Sequence, residues 1–261
     1  MDLGLKGRVA LVLSAGGGLG SAIAVALARE GAVLCIADID ATSLAATAAA
    51  VKDAGGEVHA FQWDLGDLAQ ADAKIAQVLD AAGKVDILFN NTGGPPPGPA
   101  HGHATQVWQQ AFQSMVLSVI RVTDLVLPGM RERGWGRIIT STSSGVVAPI
   151  ANLALSNATR ISLLGWSKSL ARDVAADGVT VNVVIPGRIA TARTRFLDAS
   201  KAKREGRDAA VVEAESAASI PMGRYGRADE YADAVAFLAS ERASYITGSS
   251  LRVDGGLIAS I

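Results

Sequence analysis

A glycine-rich turn between an apolar run and a helical pattern constrains the fold of this sequence most. Residues 8–13, RVALVL, have the pattern of a buried strand that is apolar after Arg8, and residues 19–29 have helical periodicity. The cluster Gly16-Gly17-Gly18-Leu19-Gly20 joins the two segments. Such glycines let a pyrophosphate approach backbone N–H groups at the positive end of a helix dipole. The turn therefore predicts a dinucleotide-binding site.

The remaining chain alternates short β-branched runs with longer, alanine-rich helical segments. Further strands are predicted at 33–37, 57–62, 85–90, 137–141, 179–184 and 250–253, and helices at 41–54, 68–81, 106–130, 157–176 and 230–239. The charged segment 193–216 is either helical or mobile. Strands that are apolar throughout are typical of a parallel sheet covered on both faces. The pattern predicts one α/β domain over residues 1–261, with a doubly wound parallel sheet of the Rossmann type in three layers.

Composition and charge exclude several functional classes. Hydrophobic residues make up 49% of the 261 residues, and the formal net charge is −1, so we expect neither a nucleic acid nor an anionic membrane as partner. The single cysteine, Cys35, precludes an intrachain disulfide and favours a cytoplasmic setting. Residues 1–8 lack the apolar stretch of a signal peptide, and no apolar run is long enough to predict a membrane helix. His101 and His103, on a proline- and glycine-rich loop, are interpreted as solvated, and no metal site is expected.

An acidic residue after the second strand bears on the choice of nucleotide. Asp38 ends that strand eighteen residues after Gly20. A carboxylate there can accept both hydroxyls of the adenosine ribose and would repel the additional phosphate of NADP. Because no arginine lies in the glycine turn or directly after Asp38, the sequence favours NAD over NADP. The alternative is that Asp38 caps the next helix, a role for which Asp40 competes.

Two further polar segments follow predicted strands. Asp64 comes after the third strand, and Asn91-Thr92-Gly93 comes after the fourth. Ligands of open α/β sheets bind at the carboxyl ends of the strands. We expect Asp64 to accept a hydrogen bond from an adenine amino group and Gly93 to permit close approach of the backbone.

The order of these motifs resembles the short-chain dehydrogenase/reductase family over nearly the whole chain, and in particular its 3-oxoacyl-(acyl-carrier-protein) reductase-like members. The matching pieces are GGGLG at 16–20, Asp38, Asp64 in WDL, NNTG at 90–93, STSSG at 141–145, Asn182, Pro186-Gly187 with Ile189 and Thr191, and VDGG at 253–256. The resemblance implies a small-molecule carbonyl or alcohol as substrate and a homodimer or homotetramer. The cofactor contacts that it implies are Ser14, Gly16, Gly17, Gly18, Leu19, Gly20, Asp38, Asp64, Leu65, Asn91, Thr92, Gly93, Arg160, Pro186, Gly187, Ile189 and Thr191.

The catalytic residues depart from the family pattern, which is an Asn-Ser-Tyr-Lys tetrad. Spacing from Gly165 and from the retained Ser143 places Ser156 at the tyrosine position and Arg160 at the lysine position. Met115, predicted to be a core residue, occupies the asparagine position. A serine hydroxyl does not ionise in the range in which the family's tyrosine works, and arginine does not release its proton. None of Tyr225, Tyr231 and Tyr245 is followed by a lysine four residues later, so none is interpreted as a displaced catalytic tyrosine.

Three functional interpretations remain open. The first is a nicotinamide-dependent oxidoreductase with altered proton transfer, in which Ser143 and Ser156 donate to the developing oxyanion while water supplies the proton, or in which His101 or His103 is the acid. The second is a catalytically silent dinucleotide-binding protein. The third is non-redox chemistry at Ser143, Ser156 and Arg160. The related halohydrin dehalogenases also carry arginine at the lysine position, but unlike this chain they keep the tyrosine.

A substrate loop is expected at about 190–220, by analogy with the family. This segment contains the basic set Lys201, Lys203, Arg204 and Arg207. The set is either a solvated surface or part of a lid that contacts a phosphopantetheine or another anionic group.

Overall fold

The computed structural model describes residues 2–261 and contains one seven-stranded sheet. Its strands are β1 (Val9–Leu13), β2 (Val33–Asp38), β3 (Val58–Gln62), β4 (Ile87–Asn90), β5 (Gly136–Ser141), β6 (Val179–Pro186) and β7 (Ser250–Val253). They are all parallel and follow the order β3-β2-β1-β4-β5-β6-β7. This topology confirms the predicted doubly wound, Rossmann-type fold in a single domain.

Nine α-helices connect the strands within the described residues. They are α1 (Gly18–Arg29), α2 (Ala41–Asp53), α3 (Ala71–Ala82), α4 (Thr105–Phe112), α5 (Ser118–Glu132), α6 (Ala154–Val174), α7 (Ala192–Glu205), α8 (Ala209–Ala218) and α9 (Ala228–Ala239). One face of the sheet packs against α1, α2 and α9, and the other against α3, α5 and α6. The result is the three-layer arrangement that the apolar strands predicted.

Strand β1 shows why both faces must be covered. Ala10 and Val12 belong to the apolar cluster beneath α1 and α9, whereas Val9, Leu11 and Leu13 belong to the opposite cluster. Successive side chains of a strand point to opposite faces, so a strand without polar positions needs a helix layer on each side. All five residues are buried.

The predicted single helix 106–130 is interrupted in the structure. Between α4 and α5 the chain forms a π-helical turn over Gln113–Leu117, at the centre of which lies Met115. Such one-turn π segments are frequent at functional sites because they shift the helix register locally, an effect that apolar periodicity does not reveal. The charged segment 193–216 adopts the helical alternative, since it forms most of α7 and α8, so the substrate loop expected at about 190–220 is largely helical.

The continuous helical stretch Thr105–Glu132 is long and apolar enough to cross a membrane by length and composition, although the sequence predicted no such segment. In the structure it packs against α3 and α6. Val122, Val126 and Met130 are buried in the core cluster on that face of the sheet. These three apolar residues are therefore used within the domain.

Candidate functional site

A cavity of about 1180 Å³ opens at the carboxyl edge of the sheet. It lies where the strand order reverses, because β1 pairs with β2 on one side and with β4 on the other. Residues from the turn after β1, from the ends of β2 and β4–β6, and from α7 form its wall. This is the position at which ligands bind in doubly wound folds.

Ser14 shapes the turn after β1. Its φ is +50°, and its hydroxyl donates to the Asn91 carbonyl at 3.1 Å, which connects the ends of β1 and β4. The Ser14 carbonyl accepts from the N–H of Gly17 at 3.4 Å. A serine at the family's first glycine position is therefore compatible with a tight turn, because its side chain satisfies a neighbouring backbone acceptor.

The glycines of this turn have different roles. A Cβ on Gly16 would lie 2.9 Å from the Cβ of Ser43, and a Cβ on Gly18 would lie 2.9 Å from the Cγ2 of Thr191. Gly17 is exposed, with no such obstruction closer than 3.5 Å. Gly20 is buried and does not line the cavity, because it packs against the backbone of the turn. The predicted direct cofactor contact at Gly20 is thus replaced by a packing role.

Asp38 supports the glycine turn and does not cap α2. Its carboxylate accepts from the Gly16 N–H at 2.8 Å and from the Asp40 N–H at 2.9 Å. Asp40 is the helix cap, since its side chain accepts from the N–H of Ser43 at 2.6 Å. The carboxylate of Asp38 is held at the cavity wall, at the position where a dinucleotide-binding fold of this type places the adenosine ribose.

Asp64 and Leu65 line the same end of the cavity as Asp38. The Asp64 carboxylate is exposed and accepts from the Gly66 N–H at 2.8 Å, which fixes the turn after β3. This arrangement keeps an acceptor free at the cavity edge, because a carboxylate has more lone pairs than this single bond uses.

Arg160 is the buried cation of the site. One of its terminal nitrogens donates to the carbonyls of Thr92 at 3.1 Å and Gly93 at 3.2 Å, and the other donates to the Ser141 carbonyl at 3.4 Å. No carboxylate pairs with it among residues 2–261. Burial, together with the positive charge of Arg193, lowers the pKa of Arg160 to about 10. The guanidinium stays charged at neutral pH.

Ser143 and Ser156 line the cavity together with Arg160. The Ser143 hydroxyl accepts from the Gly145 N–H at 3.1 Å, so its own proton remains available to a ligand. The Ser156 hydroxyl has no hydrogen-bond partner among the described residues. The structure therefore brings together the three candidate catalytic residues that the sequence singled out.

Met115 has two environments. It is buried in a small cluster with Val116, Val119 and Leu163, as predicted for a core residue, and it also forms part of the cavity wall. Its sulfur accepts from the Thr159 hydroxyl at 3.6 Å. A thioether cannot replace the hydrogen bonds of the asparagine that the family places here.

The two loop histidines lie away from the cavity wall. A ring nitrogen of His103 is 2.9 Å from the Pro99 carbonyl, and the ring packs edge-on against Trp108. His101 is exposed. Neither residue lines the cavity, so the hypothesis of a histidine acid gains no support from this arrangement.

Most of the remaining predicted cofactor residues meet at the cavity. Its wall includes Ser14, Leu19, Asn91, Thr92, Gly93, Pro186, Gly187, Ile189 and Thr191. Gly187 is required by packing, since a Cβ there would lie 2.6 Å from the Cα of Asp254. Of the basic set on the expected substrate loop, Lys201 and Arg204 line the cavity, whereas Lys203 and Arg207 do not.

Of two further polar residues near the site, Arg193 was missed in the sequence, and Tyr231 was considered there only as a displaced catalytic tyrosine. Arg193 of α7 lines the cavity, and its guanidinium donates to the Pro95 carbonyl at 2.7 Å. Tyr231 of α9 is fully buried behind β5, with its hydroxyl 2.8 Å from that of Ser141. Helical spacing with Lys201 and Arg204 could have indicated Arg193, whereas the contact of Tyr231 joins residues ninety positions apart and has no local signal.

Comparisons with known proteins agree with this geometry. The family model described as enoyl-(acyl carrier protein) reductase matches residues 14–258. The 3-oxoacyl-(acyl-carrier-protein) reductase of Escherichia coli (strain K12) is 37% identical over 258 residues, which cover 98% of this chain and 99% of the relative. Nodulation protein G of Azospirillum brasilense is 36% identical over 251 residues, 96% of this chain and 98% of the relative.

A solved structure is also similar along its entire length. The L-sorbose reductase of Gluconobacter frateurii, solved in complex with NADPH and L-sorbose, has a TM-score of 0.94 and 32% identity, with 100% of each chain covered. The match of the family model, the identity of the relatives and the similarity of the solved structure lead to one assignment. The chain belongs to the short-chain dehydrogenase/reductase family.

Proposed function

We propose that the chain is an NAD(P)-dependent oxidoreductase that reduces the carbonyl group of a small molecule of the 3-oxoacyl type, or oxidises the corresponding secondary alcohol. The observation that carries this proposal is the single cavity that joins the glycine turn to Ser143, Ser156 and Arg160. The glycine cradle fits a pyrophosphate, since side chains at Gly16 and Gly18 would collide with their neighbours. When bound, the reduced nicotinamide supplies a hydride to the carbonyl carbon, and the carbonyl oxygen must receive a proton.

Arg160 would hold the nicotinamide ribose. Its guanidinium is fixed by the carbonyls of Thr92, Gly93 and Ser141 and stays charged at neutral pH. It can donate hydrogen bonds, but it does not pass on a proton as the family's lysine does. Its role is therefore binding and electrostatic stabilisation.

Ser143 and Ser156 would stabilise the developing oxyanion. Both hydroxyls lie at the cavity and can donate a hydrogen bond to an oxygen that acquires negative charge. Neither ionises near neutral pH, so a water molecule must deliver the proton to that oxygen. We expect slower turnover than a tyrosine acid would give, because a positioned acid contributes on the order of 10²–10⁴-fold in rate.

Restoring the family residues tests this mechanism. The double variant Ser156→Tyr with Arg160→Lys should raise the rate of NADH-dependent reduction of a 3-oxo ester by at least about tenfold, since it supplies the missing acid. The Ser143→Ala variant should abolish the wild-type activity while NADH binding persists. A double variant that binds NADH but is no faster than the wild type would contradict the assignment of roles to these positions.

A second candidate is a catalytically silent dinucleotide-binding protein. It is favoured because Ser156 and Arg160 replace the tyrosine and lysine that transfer the proton in the family. The nucleotide end of the site is kept, since Asp38 contacts the glycine turn. Absence of turnover by the wild type over a broad panel of carbonyl compounds, despite micromolar NADH binding, would support this candidate over the oxidoreductase.

We further propose a preference for NAD over NADP. Asp38, Asp40 and Asp64 line the cavity near the turn after β1, and a phosphate on the adenosine ribose would meet their negative charge. Fluorescence titration should therefore give a dissociation constant at least about tenfold lower for NADH than for NADPH, and Asp38→Asn should reduce that ratio. Tighter binding of NADPH by the wild type would refute this preference.

A homodimer or homotetramer in the cytoplasm completes the proposal. Phe112, Leu117 and Ile161 are 41%, 39% and 51% exposed on the helices α4 to α6 and the turn between them. Apolar side chains grouped on a surface are commonly covered in an assembly. Light scattering after size exclusion should give a mass of two or four chains, and Ile161→Glu should lower it.

A further inference from the structure

Two guanidinium groups at the cavity, those of Arg160 and Arg193, have no carboxylate partner among residues 2–261. We propose that this enzyme selects carbonyl compounds that also bear a carboxylate, and that Arg193 on α7 binds that carboxylate. The proposal rests on the oxidoreductase function given above, since it names the substrate class of the same site. It concerns binding, and no additional chemical step is required.

The position of Arg193 is fixed from two sides. Its Nη2 donates to the Pro95 carbonyl at 2.7 Å, and its guanidinium lies 5.5 Å from the centroid of the Phe196 ring. Gly94 leaves the space that the guanidinium occupies, because a Cβ there would be 2.7 Å from Nη2. A side chain held in this way presents its remaining N–H donors with little further loss of conformational entropy.

Arg193 and Arg160 face the same short segment of backbone. Arg160 donates to the carbonyl of Gly93, and Arg193 donates to the carbonyl of Pro95. Two residues of extended chain span at most about 7 Å, so the two cations border one small region of the cavity. Their mutual effect agrees with this placement, because the charge of Arg193 contributes to the lowered pKa of Arg160.

Neither guanidinium has a carboxylate partner in the part of the chain that the structure describes. The neighbouring cations differ in this respect. Arg188 pairs with Asp198 at 2.7 Å, and Arg204 and Arg207 both pair with Glu205. Burial lowers the pKa of Arg193, as expected for a cation that has lost water without gaining an anion. A bound carboxylate would supply the missing partner through paired N–H donors.

The cavity-facing side of α7 extends this positive surface. The residues of α7 that line the cavity are Ala192, Arg193, Thr194, Leu197, Ser200, Lys201, Arg204 and Glu205. Because Glu205 pairs with Arg204, it is Lys201 that adds positive charge to that of Arg193. Leu197 adds an apolar contact for the carbon chain of the substrate. Asp38 and Asp64 lie near the glycine turn, whereas the cations without a carboxylate partner, Arg160 and Arg193, lie beside the loop after β4, so an anionic substrate group is favoured at the latter place.

The test compares oxo acids with their uncharged methyl esters. Acetoacetate, 4-oxopentanoate and 5-oxohexanoate, each paired with its ester, are titrated by calorimetry into the wild-type enzyme saturated with NAD⁺, so that binding is measured without reduction. We expect at least one acid to bind tenfold or more tightly than its ester, with a preference that weakens as salt is added.

Two variants locate the source of this preference. Arg193→Gln should reduce the ratio of acid to ester affinity to below about threefold. Arg195→Gln is the matched control, because Arg195 lies on the same helix, is exposed and does not line the cavity, so its removal changes the net charge equally. The control should retain the wild-type ratio.

Other outcomes would overturn the proposal in distinct ways. Equal affinity of acids and esters for the wild type would refute it, and reduction of the esters with NADH would then leave the oxidoreductase function intact. Weaker binding of NAD⁺ by Arg193→Gln, with an unchanged acid-to-ester ratio, would assign Arg193 to the cofactor. Tight binding of the acids without any reduction would support the carboxylate site and contradict the oxidoreductase function.

Discussion

Replacing Gly20 by alanine tests whether the glycine turn depends on packing at this position. A Cβ on Gly20 would lie 2.8 Å from the Cα of Ala15 and closer still to the carbonyl oxygen of Ser14. Both obstructing atoms belong to the backbone, so no side-chain rotation relieves the contact. The start of α1 or the turn itself must move by several tenths of an ångström or more.

Two opposing terms set the size of the effect. Alanine in a helix interior is more favourable than glycine by about 1 kcal/mol. Forcing additional atoms into a packed region typically costs about 1–3 kcal/mol, and a backbone obstruction belongs at the upper end of that range. The steric term exceeds the helix term, so we expect Gly20→Ala to lower the free energy of unfolding by about 2 kcal/mol.

The assay is urea denaturation without nucleotide at one protein concentration, followed by fluorescence titration with NADH. Gly17→Ala is the control for stability, because its Cβ would meet only the Ser14 carbonyl, at an ordinary 3.5 Å. The control should lose less than about 1 kcal/mol, the range expected at a helix N-cap. Displacement of the turn in Gly20→Ala should also weaken NADH binding about tenfold. This factor corresponds to a loss of about 1.4 kcal/mol in the free energy of binding. Wild-type stability in Gly20→Ala would refute this packing explanation.

Two other predictions follow from the buried polar groups. Tyr231→Phe removes the hydrogen bond to Ser141 and should lower the free energy of unfolding by about 1 kcal/mol. Turnover should stay within threefold of the wild-type value, because Tyr231 does not line the cavity and burial raises the pKa of its hydroxyl. A loss of turnover by 100-fold with normal NADH binding would instead identify Tyr231 as the proton donor. NADH affinity should be constant from pH 6 to 9, because Arg160 keeps its positive charge over this range although burial lowers its pKa to about 10. A transition near pH 6.5 in a titration of NADH binding would point to a histidine instead.

The fold and much of the candidate site were predictable because their signals are local. Unbroken apolar runs such as Val9–Leu13 require a sheet covered on both sides, and glycine spacing locates the turn at the start of α1. Ser143, Ser156 and Arg160 were selected by the resemblance to the family together with fixed intervals in the sequence, and these three residues line one cavity in the structure.

The interruption of the long helix could not be predicted from periodicity. The π-helical turn at Gln113–Leu117 keeps both flanking helices amphipathic, so the apolar pattern continues across it. Periodicity also could not predict that Lys201 and Arg204 line the cavity while Lys203 and Arg207 do not. Which side of α7 faces the cavity depends on how that helix packs.

The sequence alone therefore determined the class of fold, the position of the dinucleotide turn and the loss of the family's tyrosine and lysine, since each follows from residue type and spacing. Only the tertiary structure assigned Gly20 to packing, placed Tyr231 behind Ser141 and brought Arg193 beside Arg160 without an acidic partner. The physical reason is that these contacts join segments far apart in the chain. Whether a charge is neutralised, or a glycine obstructed, depends on neighbours that only folding supplies.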